Sequence, residues 1–536
     1  MEEFVTQRLI VPEGQDTPPV SFSSRMRKVN APTFANLYDV PLGKSKKAEA
    51  AEVISANRSI LQRLVTAYDA KRPVDLKEVA AHELMSVPIT ICQPNGSIRS
   101  GIKSTMIVPL IGDLQYTPLP LHPPDTSSLI LDMMARVQSI GLPKLASNFG
   151  DLADVFVASV LASGRDFYRI EAVGDRYRDT SIKDCTRIKR TKSHPPSVRK
   201  AIDSRDVPLP TTKKEYGAFL SVKENKTELQ RFLGEELLAQ APADKLVVAA
   251  GVFEDEREIR CSQQAVETQT LCANHEEADT RIVLHCVHSV SDFFVIAARD
   301  TDIIVILCAH QHLFPNKSVY VTMGNKQYLN AGALATKLGP DICNSLLVFH
   351  SLTGCDTVSF LYGIGKPIAI KTLLENPGLL QGISSLQQLS DEALANMELF
   401  VCKLYGNKSL HTTDGLRETM LLSSSKPELM PPTSNALRFH MQRAFYQARI
   451  WQCANIALPE IPIPTSPGAG WSEDDGKLQP ILMTKDPIPK AIRVIIACLS
   501  CSTGCNTARC KCFKAELFCT RLCHRNLEHG VCLNNA

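Results

Sequence analysis

Hydrophobic positions change period along this chain, and the changes mark its elements. The runs SSLIL, FYRIEAVG and DFFVIAA are short, apolar and rich in β-branched or aromatic residues, and they read as strands. NHEEADTRIVLHCVH places Ile282, Leu284 and Val287 at helical spacing behind an acidic first turn. Strand-like runs alternating with helical stretches over residues 116–380 predict an α/β domain, a mostly parallel sheet flanked by helices. Upstream, residues 1–115 form a mixed region read as a packing or adaptor segment. It contains EVISANRSILQRLVTAYDA, with Ile54, Ile60, Leu61, Leu64 and Val65 on one helical face. Residues 381–490 hold two helical stretches, DEALANMELFVCKLYG and SNALRFHMQRAFYQARIWQCANI. A proline-rich run, PEIPIPTSPGAG and then DPIPK, follows and reads as a linker. Residues 491–536 are a cysteine cluster, and no internal repeat is visible.

Composition narrows the function classes. The 536 residues at roughly 100–200 per domain suggest two to four units. At 44% hydrophobic and 21% charged the chain resembles ordinary folded protein. The net charge of +3 means that nucleic-acid affinity would have to come from local basic patches. No apolar run is long enough to predict a membrane-spanning helix, so no membrane partner is expected. MEEFVTQRLIVPEG carries acids where a secretory leader needs positive charge, which predicts an intracellular, non-secreted protein. In a reducing compartment, eight of the 18 cysteines gathered between Cys498 and Cys532 favour metal thiolates over disulfides.

The acids then supply the chemistry. In an open α/β sheet, ligand-binding groups collect beyond the carboxyl ends of the strands. Asp132 follows SSLIL, Asp175 follows FYRIEAVG, and Asp300 and Asp302 follow DFFVIAA. Glu277 and Asp279 open a helix, and Asp356 follows SLLVFHSLTGC. Each acid alone is explained by a solvated loop or a helix cap. A converging set is different, because like charges a few ångströms apart destabilise one another unless hard cations such as Mg²⁺ or Mn²⁺ neutralise them.

The order of these motifs resembles the flap-endonuclease and excision-repair nuclease family, whose fold is PIN-like. That family has a first-strand Asp, an F-D-G-type Asp, E-A-E-A, D-x-D, and G-x-D-Y ahead of a G-I-G-P-K turn. The resemblance implies a nuclease that hydrolyses DNA phosphodiesters in a structure-specific way with two Mg²⁺ or Mn²⁺ ions. It implies Asp132, Asp175, Glu277, Asp279, Asp300, Asp302 and Asp356 as the catalytic carboxylates. Asp132, Asp175 and Glu277 would serve one ion, and Asp300, Asp302 and Asp356 the other, partly through water. Gly174 and Arg176 depart from the family's aromatic and glycine, GCDT lacks its tyrosine, and Asp279 is one methylene shorter than its glutamate.

Two further stretches predict nucleic-acid contact. LYGIGKPIAIKTLL places Gly363, Gly365 and Lys366 at a tight turn before a helix, with Pro367 at its start. It resembles the family's grip on duplex backbone, the alternative being a simple turn between helices. RYRDTSIKDCTRIKRTK supplies Arg176, Arg178, Lys183, Arg187, Lys189 and Arg190 beside the acids, where they would neutralise phosphates or lie on a solvated face. IKRTK also reads as a nuclear-import patch, which sets the expectation of a nuclear protein.

The tail is similar to the tesmin-type cysteine-rich (CXC) DNA-binding family through Cys498, Cys501, Cys505, Cys510, Cys512, Cys519, Cys523 and Cys532. The resemblance implies a small domain organised by two to three Zn²⁺ ions, with His524 or His529 supplying a ligand where Arg525 replaces a cysteine. Three functional readings stay open on sequence: a DNA nuclease aided by a zinc module; a turnover-deficient nuclease-fold protein binding DNA or chromatin, of a kind carried by or domesticated from mobile elements; and a zinc-organised interaction scaffold.

Overall fold

The structure is a computed structural model. It describes residues 64–65, 68, 74–119, 126–178, 181–183, 198–264, 268–298, 300–324, 326–407, 409–422, 427–474, 476–489 and parts of 504–534. Ala56–Ala536 forms one compact unit, and Met1–Ser55 another whose residues lie outside the described set. The helix expected over 52–70 is described only at Leu64, Val65 and Tyr68.

The fold is α/β. A seven-stranded sheet runs in the order β4-β3-β2-β1-β5-β6-β7. Its strands are β1 Ser127–Asp132, β2 Arg169–Val173, β3 Leu246–Ala250, β4 Ile259–Cys261, β5 Phe293–Ala297, β6 Ser318–Gly324 and β7 Gln327–Asn330. The five central strands are parallel, and β4 and β7 close the two edges antiparallel. β1, β2 and β3 are buried along both faces except at Asp132, so even Arg169 and Glu171 of β2 lie inside the protein.

Both faces carry a core. On one, Ile130, Val173 and Ile296 pack with Ile282, Ile303, Leu346, Phe400 and Trp451. On the other, Leu131, Ala172 and Val247 pack with Phe149, Phe156, Leu233 and Phe253. The first core also takes Ile91, Met106, Ile107, Leu110 and Ile111 from the N-terminal segment and Leu437 and Ala448 from the helix Ser434–Gln452. The stretch 116–380 therefore shares its core with both flanking regions. The proline-rich run expected to act as a linker instead lies against that same helix. Tyr446 donates its hydroxyl to the Pro462 carbonyl at 2.8 Å, and Trp471 and Leu478 of the β8–β9 hairpin (Trp471–Asp474 and Lys477–Pro480) cluster with Tyr446 and Ile182.

The register sets the site. Asp132 of β1 aligns with Val173 of β2, and Leu131 aligns with Ala297 of β5. Asp132, Asp175 and Asp300 thus sit at or just beyond the carboxyl ends of three adjacent strands spaced about 4.8 Å apart. Midway along β2, Glu171 lies within the protein between Arg169, whose Nε is 3.0 Å from Glu171 Oε1, and the His285 ring. Burial works to raise the Glu171 carboxyl, but Arg169 and His285 outweigh it and hold it at about 2. Glu171→Ala leaves a buried guanidinium without its carboxylate. It is expected to cost about 3–5 kcal/mol in denaturant unfolding of the full chain. A loss below about 1 kcal/mol would mean that the network contributes little.

Candidate metal centre

Local rules place each acid. Asp132 ends β1 and also caps the helix Met133–Ile140, its Oδ1 accepting from Ala135 N at 3.0 Å. Asp300 caps the helix Thr301–His310 by accepting from Asp302 N at 2.9 Å, and Asp302 in its first turn is buried. Asp175 is held by its backbone: its N–H donates to Gln230 Oε1 at 3.0 Å and its carbonyl accepts from Gln230 Nε2 at 3.1 Å. Its carboxylate reaches across to accept from Ala278 N at 2.8 Å, satisfying one of the free amides at the start of the helix Ala278–His288. That frees Glu277, at the N-cap position, from any capping bond of its own. Gly174 has a steric reason here: a Cβ would lie 2.5 Å from Val252 Cγ1 and 2.8 Å from the Gln230 amide oxygen.

The seven predicted carboxylates lie in one electrostatic neighbourhood, three of them close enough to share an ion. Oxygens of Asp279, Asp300 and Asp302 lie within 4.8 Å of one another. Asp356 joins through Lys103, whose Nζ is 2.6 Å from Asp300 Oδ1, 3.0 Å from Asp302 Oδ2 and 3.3 Å from Asp356 Oδ2. Lys183 Nζ lies 3.0 Å from Glu277 Oε1 and also feels Asp175, Asp279 and Asp302. The buried Glu277 Oε2 has no hydrogen-bond partner among the described residues.

The electrostatics follow from crowding. Burial, then Asp175, pushes the Asp132 carboxyl up to about 7. Burial together with Asp300 and Asp302 raises Asp279, and burial with Asp302 raises Asp300. Burial also works to raise Asp302, but Lys103 and the His350 hydrogen bond outweigh it and hold Asp302 below the ordinary carboxylate range. Burial opposes the charges of Lys103 and Lys183, yet the acids around each keep both ammoniums protonated. Seven acids thus meet two ammoniums, with oxygen donors, an unpartnered buried carboxylate oxygen and raised acid pKa values. This donor set fits hard divalent cations such as Mg²⁺ or Mn²⁺.

Behind Asp302 a fixed chain sets its orientation. Lys366 Nζ donates to His350 Nδ1 at 3.0 Å, to the His350 carbonyl at 2.7 Å and to Thr353 Oγ1 at 2.8 Å. His350 Nε2 is 2.8 Å from Asp302 Oδ1. Burial, then Lys366, lowers His350 to about 4, and burial lowers Lys366 to about 7. A neutral His350 accepting at Nδ1 must carry its proton on Nε2, so it donates to Asp302.

Several residues assigned to nucleic acid from the sequence face inward. Lys366, read as a phosphate-contacting lysine, is buried in the bonds just described. Arg176 donates to the carbonyls of Phe253 and Glu254, and Arg178 donates to Glu256 Oε2 and the Asn274 carbonyl. Both tether the segment after β2, so the basic run is partly structural. Lys183 belongs to the acid cluster. Gly363 has φ +83° and Gly365 caps the helix Lys366–Glu375 without a side chain, as the turn reading expects. Arg187, Lys189 and Arg190 lie outside the described residues. Sequence reasoning missed Lys103 and Gln230, which sit in no motif, and His350, read only as part of the apolar run before Asp356; only their distances in space link them to the acids.

In the tail, Cys505, Cys510 and Cys519 have sulfurs within 4.8 Å of one another, and Cys510 Sγ and Cys519 Sγ are 3.6 Å apart. Zinc–thiolate bonds of about 2.3 Å in a tetrahedron set sulfurs about 3.8 Å apart, so these three fit a zinc ion. Cys512 is buried nearby in sequence. Cys498, Cys501, Cys523, His524 and Cys532 lie outside the described residues.

No protein-family model matches the chain, and no curated protein matches it. Solved structures similar to it include the following two. The T5 D15 protein co-crystallised with metal ions is 12% identical at a TM-score of 0.29, over 61% of this chain and 99% of that one. A bacteriophage T5 flap endonuclease variant, in a pseudo-enzyme–product complex with DNA and metal ions, is 10% identical at a TM-score of 0.28. It covers 61% of this chain and 96% of that one. Among the described residues, no helix is long and apolar enough to cross a membrane.

Cation binding here should depend on pH. Folding raises Asp132 from an ordinary 3.8 to about 7, so the stability from its protonated form is complete below 3.8 and lost as pH rises through about 7. A bound divalent ion would replace that proton. The rise in Tm on adding Mn²⁺ to metal-stripped full chain should therefore be larger at about pH 8 than at about pH 5. It should lose part of this dependence in Asp132→Asn. An equal rise at both pH values in the unmutated chain contradicts this.

Proposed function

We propose that the chain is a divalent-metal-dependent nuclease that hydrolyses DNA phosphodiesters, with residues 116–380 supplying the catalytic acids. The observation that carries this reading is the convergence of Asp132, Asp175, Glu277, Asp279, Asp300, Asp302 and Asp356 at the carboxyl end of the sheet. The ordered motif series in the sequence supports it. Asp132, Asp175 and Glu277 would hold one ion, and Asp300, Asp302 and Asp356 a second, with Asp279 close to Asp300 and Asp302. Bound ions of this kind supply Lewis acidity toward a phosphodiester and its attacking water. Lys183 faces the same space and would bind phosphate charge as substrate enters. Lys366 and His350 would hold Asp302 in one orientation. The cysteine-rich residues 491–536 would bind zinc and aid DNA binding, and IKRTK would direct the chain to the nucleus.

One observation favours a second reading, in which the fold binds DNA or chromatin without turnover. Cations near the acids are already engaged within the protein: Lys103 pairs with three of the acids, Arg176 with backbone carbonyls, and Arg178 with Glu256 and a backbone carbonyl.

Purified full chain should cleave flap, hairpin or single-stranded DNA when Mg²⁺ or Mn²⁺ is supplied. Asp300→Ala should reduce the rate at least about 100-fold. Equal rates for this variant and the unmutated chain would remove the acids from catalysis. Salt-sensitive DNA binding with no cleavage under any cation would favour the second reading. Protein purified under reducing conditions should also contain zinc, and metal analysis finding none would overturn the zinc assignment.

A further inference from the structure

Three consecutive residues, Ser181, Ile182 and Lys183, turn to different partners. The Lys183 N–H donates to Ser181 Oγ at 3.1 Å, and that hydroxyl donates to Glu276 Oε1 at 2.6 Å. This small turn sits against the start of the helix Ala278–His288. The Lys183 ammonium lies 3.0 Å from Glu277 Oε1, the next acid along. Ile182 goes elsewhere. Its side chain is 6% exposed and packs with Tyr446 of the helix Ser434–Gln452, with Ala469, and with Trp471 and Leu478 of the β8–β9 hairpin. A cavity of about 300 Å³ borders both contacts, with Ile182, Tyr446, Ile461 and Pro462 lining it together with Glu276 and Glu277.

The two contacts differ in what can break them. A lysine ammonium stands on a flexible four-carbon stem, and the Lys183 side chain is 21% exposed. A phosphate entering beside Glu277 competes with that carboxylate for the ammonium, and salt screens both attractions. The apolar seat of Ile182 is open to neither effect, because burial of hydrocarbon does not depend on charge. It holds the backbone in place while the neighbouring ammonium moves from Glu277 to a phosphate. Residues 446–478 thereby fix the base of a side chain that acts among acids carried by residues 132–356.

Resting on the reading of Lys183 as a phosphate contact, we propose that Ile182 is a positioning residue, whose seat in the Tyr446–Trp471–Leu478 cluster holds the Lys183 ammonium at the acid centre. The β8–β9 hairpin and the proline-rich run before it, which carry none of the seven acids, are then part of the substrate-binding apparatus.

The test is binding of fluorescein-labelled single-stranded DNA to the full chain, followed by anisotropy at a fixed Ca²⁺ concentration with KCl varied. The slope of log affinity against log salt counts the phosphates neutralised, at about 0.7 for each. Lys183→Met should lower the slope by about 0.7, and Ile182→Ala should lower it by the same amount. Adding Ile182→Ala to Lys183→Met should change nothing further, and Ile182→Leu, which keeps the apolar volume, should behave like the unmutated chain. Circular dichroism checks the fold of each variant, and Leu478→Ala replaces Ile182→Ala if that variant does not fold. An unchanged slope in Ile182→Ala, or a further loss in the double variant, would overturn the proposal and leave the role of Lys183 standing. A Lys183→Met slope equal to that of the unmutated chain, or no DNA binding by the unmutated chain, would remove the role of Lys183 and the proposal together.

Discussion

The structure depends on the repulsion among seven carboxylates at one end of its sheet. Three adjacent parallel strands end in line and bring Asp132, Asp175 and Asp300 side by side. The helix Ala278–His288 adds Glu277 and Asp279 from beside them. A fold that placed these acids for stability alone would have spread them apart, because gathering like charges in a partly buried place opposes folding. Lys103 and Lys183 offset part of the charge. The remainder is what a bound cation would neutralise, so the strain of the metal-free centre and its affinity for metal have the same cause.

Much of the chain serves to hold that arrangement still. The buried Arg169–Glu171–His285 network lies on β2 a few residues before Asp175. Gln230 clamps the Asp175 backbone, and Gly174 leaves room for it. Lys366 fixes the tautomer of His350, and His350 in turn fixes Asp302. The His285–Glu171, Gln230–Asp175 and His350–Asp302 contacts each span elements distant in sequence. The two cores on either face of the sheet, joined by segments from before and after it, keep those elements in register.

Asp132, Asp175 and Asp300 were legible because each stands where an apolar strand run stops, and Glu277 and Asp279 because they open a helical pattern. The parallel sheet was legible for the same reason. The antiparallel edges β4 and β7 were not, since short, half-exposed strands leave little periodic signal. Lys103 was hidden because nothing in a run such as GIKSTM refers to aspartates about two hundred residues later. Arg176, Arg178 and Lys366 were legible as charge but not as direction. A basic side chain beside an acid cluster suits a phosphate or a backbone carbonyl equally well, and only packing decides between them. The proline-rich run misled by composition: its prolines limit backbone freedom, while Pro462, Trp471 and Leu478 bring it onto the helix Ser434–Gln452.

The most direct measurement is a crystal structure of the full chain soaked with Mn²⁺, with the ion located by its anomalous scattering. The account predicts a peak within coordination distance of carboxylate oxygens from at least two of the strand ends, with Glu277 or Asp279 also bound to it. Saturating Mn²⁺ that leaves no peak among these acids, or acids that turn away from one another into solvent, would contradict it.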